Sequence, residues 1–362
     1  MGIDFSKLKR ILIVKLRHHG DVLLISPLPS ILRCHYPHLE VDVLVYADTS
    51  PLLENHPDIS HIHVIDRRWR QEGLIRQLQG ETHLLSTLNS RHYDLMLHLT
   101  ESWRGAFLAR WLRPRYAVTA DYVRRRHSRW WRGSFSHHYA QPSRLRHTVE
   151  KHLDALRVLG LYPSPIERQL ILKLTDESRQ RVLAHLTPHG LQNRPFVVVH
   201  PTSRWLFKCW PTAHMAELIN QLQERGWPVV LTAGPDREEM AMVAAILQGC
   251  TMPPSLNLAG QLSLPDLAAL IAQARLFIGV DSAPMHMAAA LNTPTVTLFG
   301  PSGDREWGPW MPPHRRRILT ADPEQFPCRP CGLAGCADSR RSDCLEAIPG
   351  TSVLSAALEL LS

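Results

Sequence analysis

The run Phe277-Ile-Gly-Val-Asp-Ser-Ala-Pro-Met-His286, continuing through Met-Ala-Ala-Ala-Leu291, decides how the rest of the chain is read. Leu276 to Val280 is apolar and has the length of one buried strand. Asp281 and Ser282 follow, then an alanine-rich helix with Pro284 in its first turn, where a missing N–H is tolerated. Thr293 to Phe299 reads as the next strand, closed by a Gly300-Pro301 turn. Strand, turn, short helix and strand make a parallel crossover unit. Its ligand side is the carboxyl edge of the strands, where a helix amino terminus can meet phosphate. Taken singly, Asp281 would read as a helix cap and His286 as a core residue. Matching stretches elsewhere in the chain shift the reading toward a binding site.

The same pattern opens the chain. Ile11 to Val14 is a continuous apolar run, as in a first buried parallel strand, and Lys15-Leu-Arg-His-His-Gly-Asp21 leads from it into a helical pattern over Val22 to Cys34. Asp21 sits at a helix start, where capping is the ordinary role. Arg17, His18 and His19 crowd the same loop, and a carboxylate among such groups is also placed to act as a general base. Val41 to Tyr46, His61 to Ile65 and Tyr93 to Leu99 read as further strands with helices between them. Alternation of this kind predicts a parallel sheet covered on both faces. A second alternating series starts at Phe196 to His200. It continues through a strand at Trp227 to Thr232, a short strand or loop at Leu256 to Gly260 and a helix from Leu264 to Ala274. The strand-end residues Thr202, Ser203 and Lys208 can hold phosphate oxygens, and Glu238 has the chemistry to accept from ribose hydroxyls. No G-x-G-x-x-G follows a strand and no G-x-x-x-x-G-K-[ST] occurs, which argues against a dinucleotide oxidoreductase and a P-loop enzyme.

With 362 residues, 44% hydrophobic and 20% charged, the chain has room for two globular domains. The polar stretch from about Thr175 to Arg194 marks the boundary. No apolar run reaches the length of a membrane span and no secretion signal opens the chain, so the expected location is the cytoplasm. A net charge of +8 points to an acidic partner. Between Arg104 and Arg146, eleven arginines (104, 110, 113, 115, 124, 125, 126, 129, 132, 144 and 146) face Asp121 alone, interleaved with Trp103, Trp111, Trp130 and Trp131. This composition suits a surface that meets phosphate and lipid, a nucleic-acid groove or a plain solvated face. Cys328, Cys331, Cys336 and Cys344 include one pair at zinc-knuckle spacing, and four thiolates could close a structural zinc site; lacking a second C-x-x-C, they read first as a compact thiol-lined loop.

Lys15 to Asp21, His200-Pro-Thr-Ser-Arg204 with Lys208-x-Trp-Pro211, Gly234-Pro-x-x-Glu238, and Gly279-Val-Asp-Ser-x-x-x-His286 together resemble the lipopolysaccharide heptosyltransferases of glycosyltransferase family 9. The likeness runs over nearly the whole chain. Lys15-Leu-Arg-His-His-Gly-Asp21 and the cysteine-rich tail are most like the heptosyltransferase III branch of the inner core. The resemblance implies an α/β fold of GT-B type, two Rossmann-like domains facing across a cleft. An acceptor-binding domain would span residues 1–175, a linker 176–194, an ADP-heptose-binding domain 195–349 and a closing helix 350–362. The implied reaction is inverting, metal-independent transfer of L-glycero-D-manno-heptose from ADP-heptose to a core heptose. It needs no cofactor beyond the donor. The acceptor is lipid A-core lipopolysaccharide, reached by peripheral contact with the inner face of the inner membrane.

By the same resemblance Asp21 is the catalytic base, and Arg17, His18, His19 and Gly20 meet the acceptor. Thr202, Ser203 and Lys208 hold the diphosphate, Lys208 also lying near the sugar. Glu238 holds the ribose, Leu262 packs the adenine, Asp281 holds the heptose hydroxyls, and Ser282, Ala283 and His286 surround the diphosphate. The sequence departs from relatives in having Ala283-Pro284 where glycine is common, and one extra residue within Trp205-Leu-Phe207. Rival readings are a GT-B enzyme for another acceptor or sugar nucleotide, such as heptosyltransferase I or II, and a nucleic-acid-binding protein. The second is disfavoured because no motif that reads RNA or DNA is visible.

Overall fold

Continuous apolar runs in the sequence become interior strands. Ile11 to Val14, Val197 to Val199 and Leu276 to Ile278 have no exposed surface, as parallel strands covered on both faces require. The computed structural model describes residues 2–140 and 145–362; Arg144, counted above with the arginine-rich segment, lies outside them. The chain forms two units, Met1–Lys173 and Leu174–Ser362.

The first unit runs β1 (Arg10–Val14), α1 (His19–Leu23), α2 (Pro27–His35), β2 (Glu40–Tyr46), β3 (His61–Ile65), α3 (Leu74–Ser90), β4 (Leu95–His98), α4 (Trp103–Leu112), β5 (Tyr116–Asp121), α5 (Arg129–Arg132), β6 (His137–Ala140) and α6 (Thr148–Arg157). Its strands form a six-stranded sheet in the order β3-β2-β1-β4-β5-β6. All pairings are parallel. The single helix expected over Val22 to Cys34 is two, because Pro27 cannot continue α1 and instead opens α2. The strands β5 and β6 were hidden in the arginine-rich segment. The first has only Ala117-Val118 as an unbroken apolar centre and is flanked by charge, and His137-His-Tyr-Ala140 is a polar edge strand without an apolar run.

The second unit runs α7 (Asp176–Leu186), β7 (Val197–His200), α8 (Thr212–Glu224), β8 (Val229–Leu231), α9 (Arg237–Gly249), β9 (Leu256–Asn257), α10 (Leu264–Gln273), β10 (Leu276–Val280), α11 (Ala283–Ala290), β11 (Thr295–Phe299), α12 (Asp304–Trp307), β12 (Arg316–Thr320), α13 (Asp343–Glu346) and α14 (Gly350–Leu361). Its sheet repeats the plan as β12-β11-β10-β7-β8-β9, again parallel. The polar stretch read as a linker carries α7. This helix packs on α10, with Arg181 paired to Asp266 at 2.8 Å. The closing helix α14 lies across α8 and the strands β10 to β12, beside fully buried Trp210, whose indole N–H donates to the Ile348 carbonyl at 3.3 Å. Among the described residues no helix is long and apolar enough to cross a membrane.

In each sheet the strand order reverses once, between β1 and β4 and between β7 and β10. At such a reversal the following loops diverge, leaving a crevice at the carboxyl ends where ligands bind.

Within the first unit a charged cluster stiffens the sheet. The Asp42 side chain on β2 has no exposure and accepts from Arg91 Nε at 2.8 Å and from the Tyr93 hydroxyl at 2.7 Å. Tyr93 in turn accepts from His63 Nε2 at 2.9 Å. Burial pushes the Asp42 carboxyl up, but His63, Arg91 and Tyr93 outweigh it and hold the group at about 2. A lowered carboxylate stabilises the fold above its ordinary range and loses that contribution as pH falls. The pH-dependent part is worth about 2 kcal/mol and disappears between about pH 4 and pH 2. Asp42→Asn leaves Arg91 without its buried partner, so the first unit is expected to lose on the order of 3 kcal/mol at pH 7. Urea melts at pH 7 and pH 3 check this: the gap between wild type and variant narrows at the lower pH.

Candidate functional site

The loop after β1 carries a buried cation. Lys15 is 4% exposed, and its ammonium has three acceptors. The Leu99 carbonyl beyond β4 lies at 3.2 Å, His152 Nε2 on α6 at 3.0 Å and Asp21 Oδ1 on α1 at 3.3 Å. His152 donates from Nδ1 to the Leu24 carbonyl at 3.3 Å, which leaves Nε2 as a lone pair for Lys15. Burial and the Lys15 charge hold the His152 pKa well below the usual imidazole range, so the ring is neutral. Burial draws Lys15 downward too, and the Asp21 carboxylate opposes it. Lys15 thus ties the loops on both sides of the β1/β4 reversal and fixes one oxygen of Asp21, whose side chain stays 16% exposed.

Around this carboxylate, Arg17 is exposed while His18, His19 and Gly20 are half-buried. His18 is the residue before α1, and His19 Nε2 lies 3.0 Å from the Asp48 carbonyl, with Arg67 paired to the Asp48 side chain. The four residues expected to meet an acceptor therefore share one loop with Asp21.

At the β7/β10 reversal of the second unit, Lys208 Nζ donates to Asp281 Oδ2 at 2.6 Å and lies 4.9 Å from the Trp205 ring centre. Both charged side chains are largely buried, at 17% and 8% exposure. Ser282 has extended backbone and precedes α11, and Ala283 opens the helix, so the first backbone N–H groups of α11 rise beside Asp281. His286 lies one turn on, buried among Met285, Met287 and the alanines. Ser203 is 4% exposed, its N–H 3.2 Å from Cys209 Sγ. Burial pushes that thiol up to about 12, so it stays protonated.

Thr202 and Glu238 are placed unlike each other. Thr202 is fully buried and its hydroxyl donates to Glu239 Oε2 at 2.6 Å, so it braces the loop from behind. Glu238, on the first turn of α9, is exposed, with Arg340 at 3.9 Å. Leu262 is half-buried between β9 and α10, on the same carboxyl edge.

Sequence reasoning missed Glu239, which also accepts from the Gly234 N–H at 3.1 Å and so joins the loops after β7 and β8. A Cβ at 234 would stand 2.6 Å from that carboxylate, so any larger residue there would push the Glu239 side chain from its place. The signal was present: Asp236 precedes α9 and Glu239 is its third residue, the position from which a glutamate reaches back over a helix start. Lys15 and His152 were missed too, though a lysine directly after four buried strand residues asks for partners.

The thiols of Cys328, Cys331 and Cys336 lie near enough to Cys344 to push its pKa up, behind the larger effect of burial. Among the described residues no group of three or more His, Cys, Asp or Glu side chains converges to hold a metal ion.

Residues 82–331 match the family model described as glycosyltransferase family 9 (heptosyltransferase). The chain is 37% identical over 346 residues to lipopolysaccharide heptosyltransferase 3 of Escherichia coli, covering 96% of this chain and 97% of the relative. Against lipopolysaccharide heptosyltransferase 1 of Pseudomonas aeruginosa it is 29% identical over 331 residues, covering 89% of this chain and 86% of the relative. The family 9 glycosyltransferase from Veillonella parvula superposes with a TM-score of 0.83 over 99% of both chains at 21% identity. Heptosyltransferase II of E. coli gives 0.75 over 97% of this chain and 98% of that one at 22% identity. These likenesses establish the α/β architecture as GT-B. With its two parallel sheets, its charged residues at both strand-order reversals and relatives matched from end to end, the chain belongs to glycosyltransferase family 9, the heptosyltransferases.

Proposed function

We propose that this glycosyltransferase moves a heptosyl group from ADP-heptose to a heptose of the lipopolysaccharide inner core; the 37% identical relative named lipopolysaccharide heptosyltransferase 3 supports the reading. Transfer inverts the anomeric carbon and needs no metal ion or further cofactor. The acceptor is anchored in lipid, so the enzyme works as a peripheral protein on the inner face of the inner membrane. The observation that carries the chemistry is the meeting of Lys208, Asp281 and the amino end of α11 at the β7/β10 reversal.

In this reading Asp21 takes the proton of the acceptor hydroxyl as its oxygen bonds to the anomeric carbon. The bond from that carbon to the diphosphate breaks, and ADP carries the electron pair away. Lys208, Ser203 and the N–H groups of Ser282 and Ala283 meet the charge that ADP gains. Asp281 fixes Lys208 and accepts from heptose hydroxyls. His286 supports the diphosphate turn, Glu238 meets the ribose and Leu262 the adenine. Thr202 acts through Glu239, holding the Ser203 loop in place. Arg17, His18, His19 and Gly20 position the acceptor.

Lys15 is a positioning residue for Asp21. Asp21→Asn is expected to lower kcat by at least about 100-fold; because it also takes a carboxylate from buried Lys15 and lowers the thermal midpoint, the rate is read on protein shown to be folded. A folded variant with near-normal transfer would remove Asp21 from the role of base. Burial draws Lys15 below the ordinary lysine range of about 10.4, so its proton is lost, and its hold on Asp21 with it, on the alkaline side below that value. The pH profile of kcat should fall there, and Lys15→Met should be slow and lack this limb. Lys208→Ala should raise the donor KM and lower kcat together, while EDTA leaves wild-type rates unchanged. Loss of activity in EDTA, restored by a divalent cation, would overturn the metal-free reading.

A further inference from the structure

Helix α4 carries Trp103, Phe107 and Trp111 at four-residue spacing, so the three rings stand on one side of it. They are 46%, 45% and 52% exposed. Phe107 stacks on Trp111 with centroids 6.0 Å apart, and Trp103 lies 5.6 Å from Trp130 of α5, itself 44% exposed. Next to them stands α3. Its residues Leu84 and Leu85, with Trp103, Phe107, Leu108 and Trp130, line an open cavity of about 330 Å³. The stripe of α3 that contains Leu85 continues through Glu81 to Leu78 and Leu74 by helical spacing. Leu74, Ile75 and Leu78 are 79%, 75% and 63% exposed. Glu81 is neutralised by Arg104 at 2.5 Å. A soluble surface scatters such side chains singly; here four exposed rings cluster on α4 and α5, and three exposed aliphatic side chains open α3 beside them.

Positive charge borders this apolar face. Arg110 and Arg125 lie over the rings of Trp130 and Trp103, at 5.1 and 4.5 Å. Arg129 and Arg132 share α5 with Trp130, and Arg113, two residues after Trp111, ends α4. Arg110, Arg113, Arg124, Arg126, Arg129 and Arg132 are exposed and form no ion pair among the described residues, while half-buried Arg125 pairs with Glu101 at 3.3 Å. Aromatic rings with an apolar body and a polar edge, aliphatic side chains and unpaired guanidinium groups match the successive depths of an anionic lipid surface. A second copy docking on this face would set the same arginines against each other. Nucleic acid would leave Leu74, Ile75 and Leu78 in water.

We propose that the outer face of α3, α4 and α5 is a membrane-docking surface. It inserts Leu74, Ile75, Leu78, Phe107 and Trp111 into an anionic phospholipid bilayer while the arginines meet its phosphates. This deepens the peripheral contact argued above and rests on that reading only for where the acceptor lies.

The test is co-sedimentation of the full chain with vesicles of phosphatidylcholine alone or with phosphatidylglycerol, at low and high salt. Wild type should sediment with the anionic vesicles, less so in high salt, with tryptophan emission shifted to the blue. Leu74→Ser with Leu78→Ser, and separately Phe107→Ser with Trp111→Ser, should each weaken binding at least about tenfold. Leu333→Ser, an exposed leucine of the second unit, should leave it unchanged. Circular dichroism confirms that the variants fold, and the leucine pair tests the face without touching the ring cluster. Equal vesicle binding by both double variants, or none by wild type, overturns the proposal. So does a wild-type dimer in solution that either double variant dissociates. Transfer to an acceptor freed of its acyl chains separates the two readings. Double variants active on it but slow on the vesicle-bound acceptor support both. Vesicle binding by a wild type that transfers no heptose leaves the docking surface standing and removes the function.

Discussion

A buried ammonium is the constraint on which the first unit's site depends. Lys15 has lost nearly all its water, and three acceptors from separate parts of the chain replace it: a carbonyl after β4, a ring nitrogen on α6 and a carboxylate on α1. An unpaired buried charge is strongly unfavourable, so those segments have to converge for the unit to fold. The position of Asp21 is therefore a by-product of folding rather than of local helix preference, which for the five residues of α1 is weak.

The second unit solves a related problem with a different partner. Lys208 also spans a strand-order reversal, but its counter-charge is a single carboxylate on the neighbouring loop, and the pair keeps partial access to water. One lysine is locked inside with three acceptors; the other keeps one carboxylate partner and a partly accessible ammonium. Both follow from one topology, because a parallel sheet with a reversed strand order leaves its loops apart at that point alone.

Much of this was legible in the sequence, for identifiable reasons. Interior strands announced themselves as unbroken apolar runs; Asp281 stood directly after one, and Asp21 and Lys208 in the loops or helix starts that follow two others. Strands that lie outward in the sheets were harder. His137-His-Tyr-Ala140 and Arg316-Arg-Ile-Leu-Thr320 carry polar residues that an edge position permits. Side-chain direction was harder still. The helix start singles out Glu239 from Glu238, but not its partner Thr202, 37 residues earlier in the chain, against which it is buried while Glu238 is exposed. The partners of Lys15 were invisible, since His152 lies 137 residues away in the chain.

The contacts of Glu239 bear on how a ligand is met. By holding the Thr202 hydroxyl and the Gly234 N–H at once, it sets the loops after β7 and β8 before any donor arrives. The conformational entropy of ordering those loops is thus lost during folding and not again during association. A nucleotide sugar meets a preorganised rim, and its affinity reflects contacts made rather than segments immobilised.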